Sequence, residues 1–210
     1  MAVITMDETL PAEPGRRERK RQQLQDHLAQ TAWALFEADG FEAVTMERIA
    51  DAADISKVTL YKHFPVKEAF LPYLFHQELA AAWPAIRGQL AAVPPGRPRL
   101  ERFFALQAEW CERRRPYLLA YVRQRLTDKR DPAKAGEGRS GMDRMFAEMI
   151  AEGQEAGLFR RDQTPALLAH YLQFAHLAAM LRWLTQPGVA LADALQQMLD
   201  LICDGMGSPR

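Results

Sequence analysis

Between Ile55 and Lys67 the chain carries three lysines, Lys57, Lys62 and Lys67, one histidine, His63, and no acid. Ser56, Thr59 and the ring of Tyr61 lie among them. Cations, hydroxyl donors and an aromatic edge in one short acid-free run are the groups that contact with a polyanion requires. A second basic run, Arg16, Arg17, Arg19, Lys20 and Arg21, is broken only by Glu18. The totals hide both runs: 27 basic side chains balance 27 acidic ones, and residues 1–70 hold 9 basic against 12 acidic. Any polyanion contact is therefore the work of local patches rather than of net charge. Taken singly, Tyr61 has a plainer reading as an aromatic packed on the next helix, and His63 as a helix-terminal side chain on the dipole.

The elements that position these residues are helical. Leu and Ala number 25 and 33 against 7 Val and 6 Ile, which predicts an all-α chain. Residues 1–15, with Pro11, Pro14 and Gly15, lack periodicity and read as a disordered lead-in. From Arg16 an amphipathic pattern through Leu24, Leu28, Ala32, Leu35 and Phe36 runs to Asp39-Gly40, where Gly40 can turn left-handed and Phe41 can fold back on Phe36. Thr45 can cap a short helix to Ala52, stapled by Val44 and Ile49. Ser56 can cap a second, stapled by Ile55 and Leu60, after a turn of only Ala53-Asp54-Ile55. Two short helices around a tight turn, behind a longer one, make a helix-turn-helix.

At about 100° per residue, Leu60 and Phe64 fall on one side of the second short helix, with Val58, Tyr61 and Lys62 opposite and Lys57 at its N-terminal edge. Such a helix enters the major groove of double-stranded DNA by its N-terminal residues. Lys57 suits guanine O6 and N7, Val58 a thymine methyl, and Tyr61 a base edge. Thr45, Ser56, Thr59, Lys62, His63 and Lys67 are expected to hold backbone phosphates, helped by the amides that open the Thr45 helix. The run Arg16 to Arg21 is expected to add affinity as an arm along phosphates or the minor groove.

The stretch over about residues 28–75 resembles the N-terminal domain of TetR-family transcriptional regulators. The landmarks are Phe36 with Gly40-Phe41, Thr45 before Ile49-Ala50, Ser56-Lys57, Thr59-Leu60-Tyr61, His63-Phe64 and Lys67-Glu68. Two positions depart from the family pattern: Asp54 stands where glycine is usual in the turn, and Val66 where serine or asparagine usually caps the fourth helix. The resemblance implies a helix-turn-helix domain over 16–66 and a helical effector-binding and dimerisation domain over 67–205. It implies a homodimer, most simply a repressor released from a palindromic operator by a small apolar or aromatic effector. The far-spaced Cys111 and Cys203, with no secretory h-region before Arg16, lead us to expect a reducing, cytoplasmic compartment.

Phe64-Pro65 closes the first unit, and a helix from Lys67 follows, with Pro72 and Pro84 predicting one or two kinks. The segment 93–98 is the plainest linker, and further helices are expected at about 99–114, 116–127, 139–156, 165–185 and 190–204, with a polar loop at 128–138. The uncharged stretch from Gln163 to Leu181 includes His170, Gln173 and His176, and so reads as a buried helix rather than a membrane span. Leu168, Leu172, Ala175 and Ala179, with the stripe Leu191, Leu195, Met198 and Ile202, are expected to pair with the same helices of a second subunit; burial in a single-chain core is the alternative. Phe104, Trp110, Tyr117, Tyr121, Met145, Met149, His170 and Phe174 are candidates to line an effector pocket, with ordinary core packing the plainer role for each.

Enzyme chemistry finds little support. Residues 136–141 spell G-x-G-x-x-G, but a polar segment rather than a strand precedes them, so they read as a flexible loop. The P-loop, metalloprotease and nucleophile-elbow signatures are missing, so no catalytic residue and no cofactor are expected. Cys111 and Cys203 have no paired spacing, and His170 and His176, six apart, do not share a helix face; neither a disulfide nor a metal is expected.

Overall fold

A computed structural model of the chain describes residues 15–127 and 141–205. The expected lead-in up to residue 14, the loop at 128–138 and residues 136–140 of the glycine-spaced motif lie outside the described residues. Among the described residues there are nine α-helices and no strand. The chain divides between Pro65 and Val66 into two compact units.

The first unit opens with α1, Arg16–Asp39, which buries Leu28, Ala29, Ala32 and Phe36 at helical spacing. Gly40 stops it at φ +83°, its amide donating to the carbonyl of Phe36 at 3.0 Å. Phe41 then returns to meet Phe36 edge-on, ring centres 4.9 Å apart. Thr45 Oγ1 accepts the amide of Arg48 to cap α2, Met46–Ala52, and Ser56 Oγ accepts the amide of Thr59 to cap α3, Lys57–His63. Val44, Ile49 and Leu60 are buried, which anchors both short helices from their inner faces. Asp54 takes the turn at φ +52° and is, among the described residues, the non-glycine with positive φ. An L-residue pays for that geometry, so Asp54→Gly should raise stability by about 0.5–1 kcal/mol in urea unfolding, without moving either cap.

The second unit begins with extended Val66, which offers no side-chain cap, and a single 3-10 turn, Lys67–Ala69, precedes α4, Phe70–Ala91. Pro72 falls in the first turn of α4, where an amide has no acceptor inside the helix, so it introduces no kink; Pro84 is the proline that interrupts the ladder. Next come α5, Arg97–Arg113, and α6, Arg115–Thr127. Then follow α7, Met142–Glu155, α8, Pro165–Thr185, and α9, Leu191–Asp204. Helix α5 starts two residues before its expected position because Gly96, at φ +86°, turns the chain and Pro98 fits the first helical turn. Helix α8 lies at the centre, packed on α6, α7 and α9, and α9 packs in turn on α5. Arg97 locks that last contact: it donates to Glu101 and Asp204, each at 2.8 Å, and to Asp200. Phe103, Phe104 and Phe146 meet ring to ring at 5.4–5.6 Å in the core.

Candidate nucleic-acid interface and internal cavity

Helix α3 presents the outward set that its sequence spacing predicts. Val58 is 81% exposed and Tyr61 43%, with Lys57 and Lys62 also exposed, while Leu60 and Phe64 are buried beneath them. An exposed valine at the front of a capped helix leaves its methyl groups open to an apolar contact from outside the chain. Ser56 and Thr59 pair their hydroxyls at 2.9 Å, so both have local structural work beside any phosphate they meet. His63 is half-buried, and burial, with Lys62 and Arg21 nearby, holds its imidazole below the ordinary range. The uncharged ring so favoured carries one N–H donor rather than a charge. Lys67 stands across Pro65, in the 3-10 turn of the second unit.

Arg16, Arg17, Arg19, Lys20 and Arg21 occupy the first two turns of α1 and are all exposed. Arg21 is engaged by Glu18 through bonds of 2.7–3.1 Å. Sequence reasoning missed Glu47, whose carboxylate on α2 lies 3.6 Å from Lys57 Nζ. Its acidity is strengthened by its own backbone amide and by Lys57. An acid beside Lys57 holds that lysine in place and would repel a phosphate brought to it. Glu47→Gln should therefore raise affinity for random duplex two- to fivefold, measured by anisotropy at fixed salt. Nothing in residue type or spacing marked it, because the pair forms only when the turn brings α2 against α3.

Inside the second unit is a cavity of about 570 Å³. Helix α4 lines it with Phe75, Glu78, Leu79, Ala82 and Ile86, and α5 with Phe103, Gln107 and Trp110. Tyr121 of α6, Met142 of α7, and Gln173, His176 and Leu177 of α8 complete most of the wall. Two of the expected pocket residues, Trp110 and Tyr121, are in it. Trp110 Nε1 donates to Glu78 at 2.9 Å, Arg114 pairs with the same carboxylate at 2.8 Å, and Phe75 packs on both Trp110 and Tyr121. The other six lie elsewhere. Phe104, Met145 and Met149 are buried and Tyr117 is half-buried, all away from the cavity wall, and His170 stacks on the half-exposed Phe174 at the surface, centroids 4.9 Å apart. The α4 contribution carried a legible signal, since Phe75, Leu79, Ala82 and Ile86 recur at helical spacing. Cys111 is fully buried and its thiol is pushed up to about 12, which leaves it unreactive.

The residues expected at a subunit interface divide in two. Leu172, Ala179, Leu191, Leu195 and Met198 are buried by their own chain, because α8 and α9 turn those faces toward each other and toward α5 and α7. Leu168 and Ala175 are half-buried, and Ile202 is exposed. The apolar face of α8 that remains open is Leu167, Tyr171, Phe174 and Ala178, spaced four, three and four residues apart, with Tyr171 61% exposed. Leu201 and Ile202 of α9 are exposed as well.

A capped helix-turn-helix with an outward reading face, joined to a separate helical unit built around a cavity, defines a one-component DNA-binding regulator. Residues 28–74 match the family model described as bacterial regulatory proteins, tetR family, and residues 94–206 that of the tetracyclin repressor-like C-terminal domain. The chain belongs to the TetR family of transcriptional regulators. It is 30% identical to the HTH-type transcriptional repressor DhaR of a Mycobacterium sp., over 77% of this chain and 83% of that protein. It is 28% identical to the repressor KstR of Rhodococcus jostii, over 100% of this chain and 94% of that one. The crystal structure of Thermus thermophilus FadR, a TetR-family repressor in complex with lauroyl-CoA, superposes with a TM-score of 0.76 at 28% identity, covering 89% of this chain and 96% of the other. Among the described residues no helix is long and apolar enough to cross a membrane.

Proposed function

We propose that the protein is a homodimeric repressor that holds a palindromic operator through α3 and leaves it when an apolar effector fills the cavity of the second unit. The cavity carries this reading: its size suits a drug-sized molecule, and its walls are mainly aromatic and aliphatic. The lauroyl-CoA held by the Thermus relative supports an effector with an extended apolar part. The open α8 face, flanked by Leu201 and Ile202, supports an isologous contact with a second copy. That face, rather than the leucine stripe of α9, is where the partner would pack.

Release requires the effector to favour the state that does not bind DNA. A coupling of about 1–3 kcal/mol changes operator affinity roughly 5- to 150-fold. Two half-sites about 34–36 Å apart tolerate little relative movement of their readers. Helix α4 is the natural transmitter, because it contributes Phe75 to Ile86 to the cavity wall and is the next α-helix in the chain after α3, joined to it through Pro65 and the 3-10 turn Lys67–Ala69.

Selection of bound sequences from random duplex should recover a two-fold palindrome, and sedimentation at micromolar concentration should report twice the chain mass. A panel of acyl-CoA thioesters should then quench tryptophan fluorescence and release labelled operator over one concentration range. A monomer, an asymmetric site, or quenching without release across the panel would overturn the proposal.

A further inference from the structure

The cavity wall is not uniformly apolar. Trp110 Nε1 and Arg114 Nη2 already donate to Glu78, at 2.9 and 2.8 Å, and His76, Arg113 and Gln173 add further polar groups to the wall. Gln107 Oε1 and both ring nitrogens of His176 are buried without a hydrogen-bond partner in the protein. His176 is 2% exposed and lies against the rings of Phe104 and Phe146, centroids 5.3 and 6.5 Å away. Burial holds its imidazole down to about 4, so at neutral pH it is uncharged, with one N–H to donate and one nitrogen to accept. Two helices, α5 and α8, thus contribute unpaired neutral polar groups to a wall that also holds Phe75, Leu79 and Phe103.

Buried polar atoms are paired in the great majority of native proteins, and an orphan in a ligand cavity is a requirement placed on the ligand. Solvent entering such a space can meet that requirement. A hydrocarbon that displaces the solvent cannot, and leaves the groups desolvated and unpaired. A hydroxyl both donates and accepts, so it can pair with the Gln107 amide in either orientation and with His176 in either tautomer.

We propose that the cavity selects an apolar molecule bearing a neutral hydroxyl on its apolar body, recognised by Gln107 and His176, over a plain hydrocarbon of the same shape. This rests on the reading of the cavity as the effector site. It adds the chemistry that decides among apolar ligands.

Two probes of one shape test it: cyclohexylbenzene and 4-phenylcyclohexanol, titrated into the full-length protein at pH 7 and followed by tryptophan fluorescence and calorimetry. The alcohol should bind at least tenfold more tightly than the hydrocarbon. Gln107→Leu and His176→Phe, made separately and each checked for unchanged helical circular dichroism, should cut that preference to threefold or less while keeping or improving hydrocarbon binding. Either variant suffices if the other does not fold. Equal binding of alcohol and hydrocarbon, or a preference that survives in the variants, overturns this inference and leaves the cavity as an effector site. Failure of both probes to bind overturns this inference and the effector-site reading together.

Discussion

A Val58→Glu protein should fold as the wild type does and bind a selected operator about 100-fold more weakly or worse. The side chain is 81% exposed at the second position of α3, so the substitution disturbs no packing, and a carboxylate in the first turn of a helix is if anything favourable to it. On DNA the same carboxylate would replace a methyl contact at the floor of the groove and face phosphates on both sides. Loss of one base contact costs about 1–3 kcal/mol, and the added like-charge repulsion raises that further. Anisotropy on operator and on random duplex, with urea unfolding alongside, checks it. Retained operator affinity would remove α3 from the groove. Lys57→Ala is the milder companion: it should relax base preference at one position per half-site while leaving stability within about 0.5 kcal/mol.

The second large effect is on acid stability. His176 titrates near 6.5 when unfolded and at about 4 when buried, so between those values the unfolded chain binds more protons than the folded one. Stability contributed by the neutral ring is therefore complete above pH 6.5 and is lost as pH falls, by about 2 kcal/mol at pH 5 and about 3 kcal/mol at pH 4. His63, also held below its ordinary value, acts in the same direction within the helix-turn-helix unit. Urea unfolding at pH 7 and pH 5 should show the loss, and His176→Phe should flatten it in the second unit. An unchanged pH slope in that variant would mean that the ring is not the titrating group.

The reading unit was legible because its signals are local. A cap, a staple and a three-residue turn each depend on residues within five positions, and they reappear as hydrogen bonds accepted by Thr45 and Ser56 and as the burial of Val44, Ile49 and Leu60. The second unit was legible as helices but not as a site. Phe104, Met145 and Met149 have the same character as the residues that line the cavity, and only the way α4, α5 and α8 leave a gap separates wall from core. The stripe Leu191, Leu195 and Met198 was real, yet an apolar stripe states that something covers it and not which helix does.

The sequence by itself determined the all-helical class, the helix-turn-helix and the outward set Lys57, Val58 and Tyr61, since helical periodicity and capping act over a few residues and leave little freedom. Tertiary structure alone decided that Glu47 meets Lys57, that His176 and Gln107 face one cavity, and that α8 keeps Tyr171 and Phe174 outward while burying Leu172. Those pairings join residues from different helices. They depend on how helices pack against one another, which apolar side chains of similar size specify together rather than one position at a time.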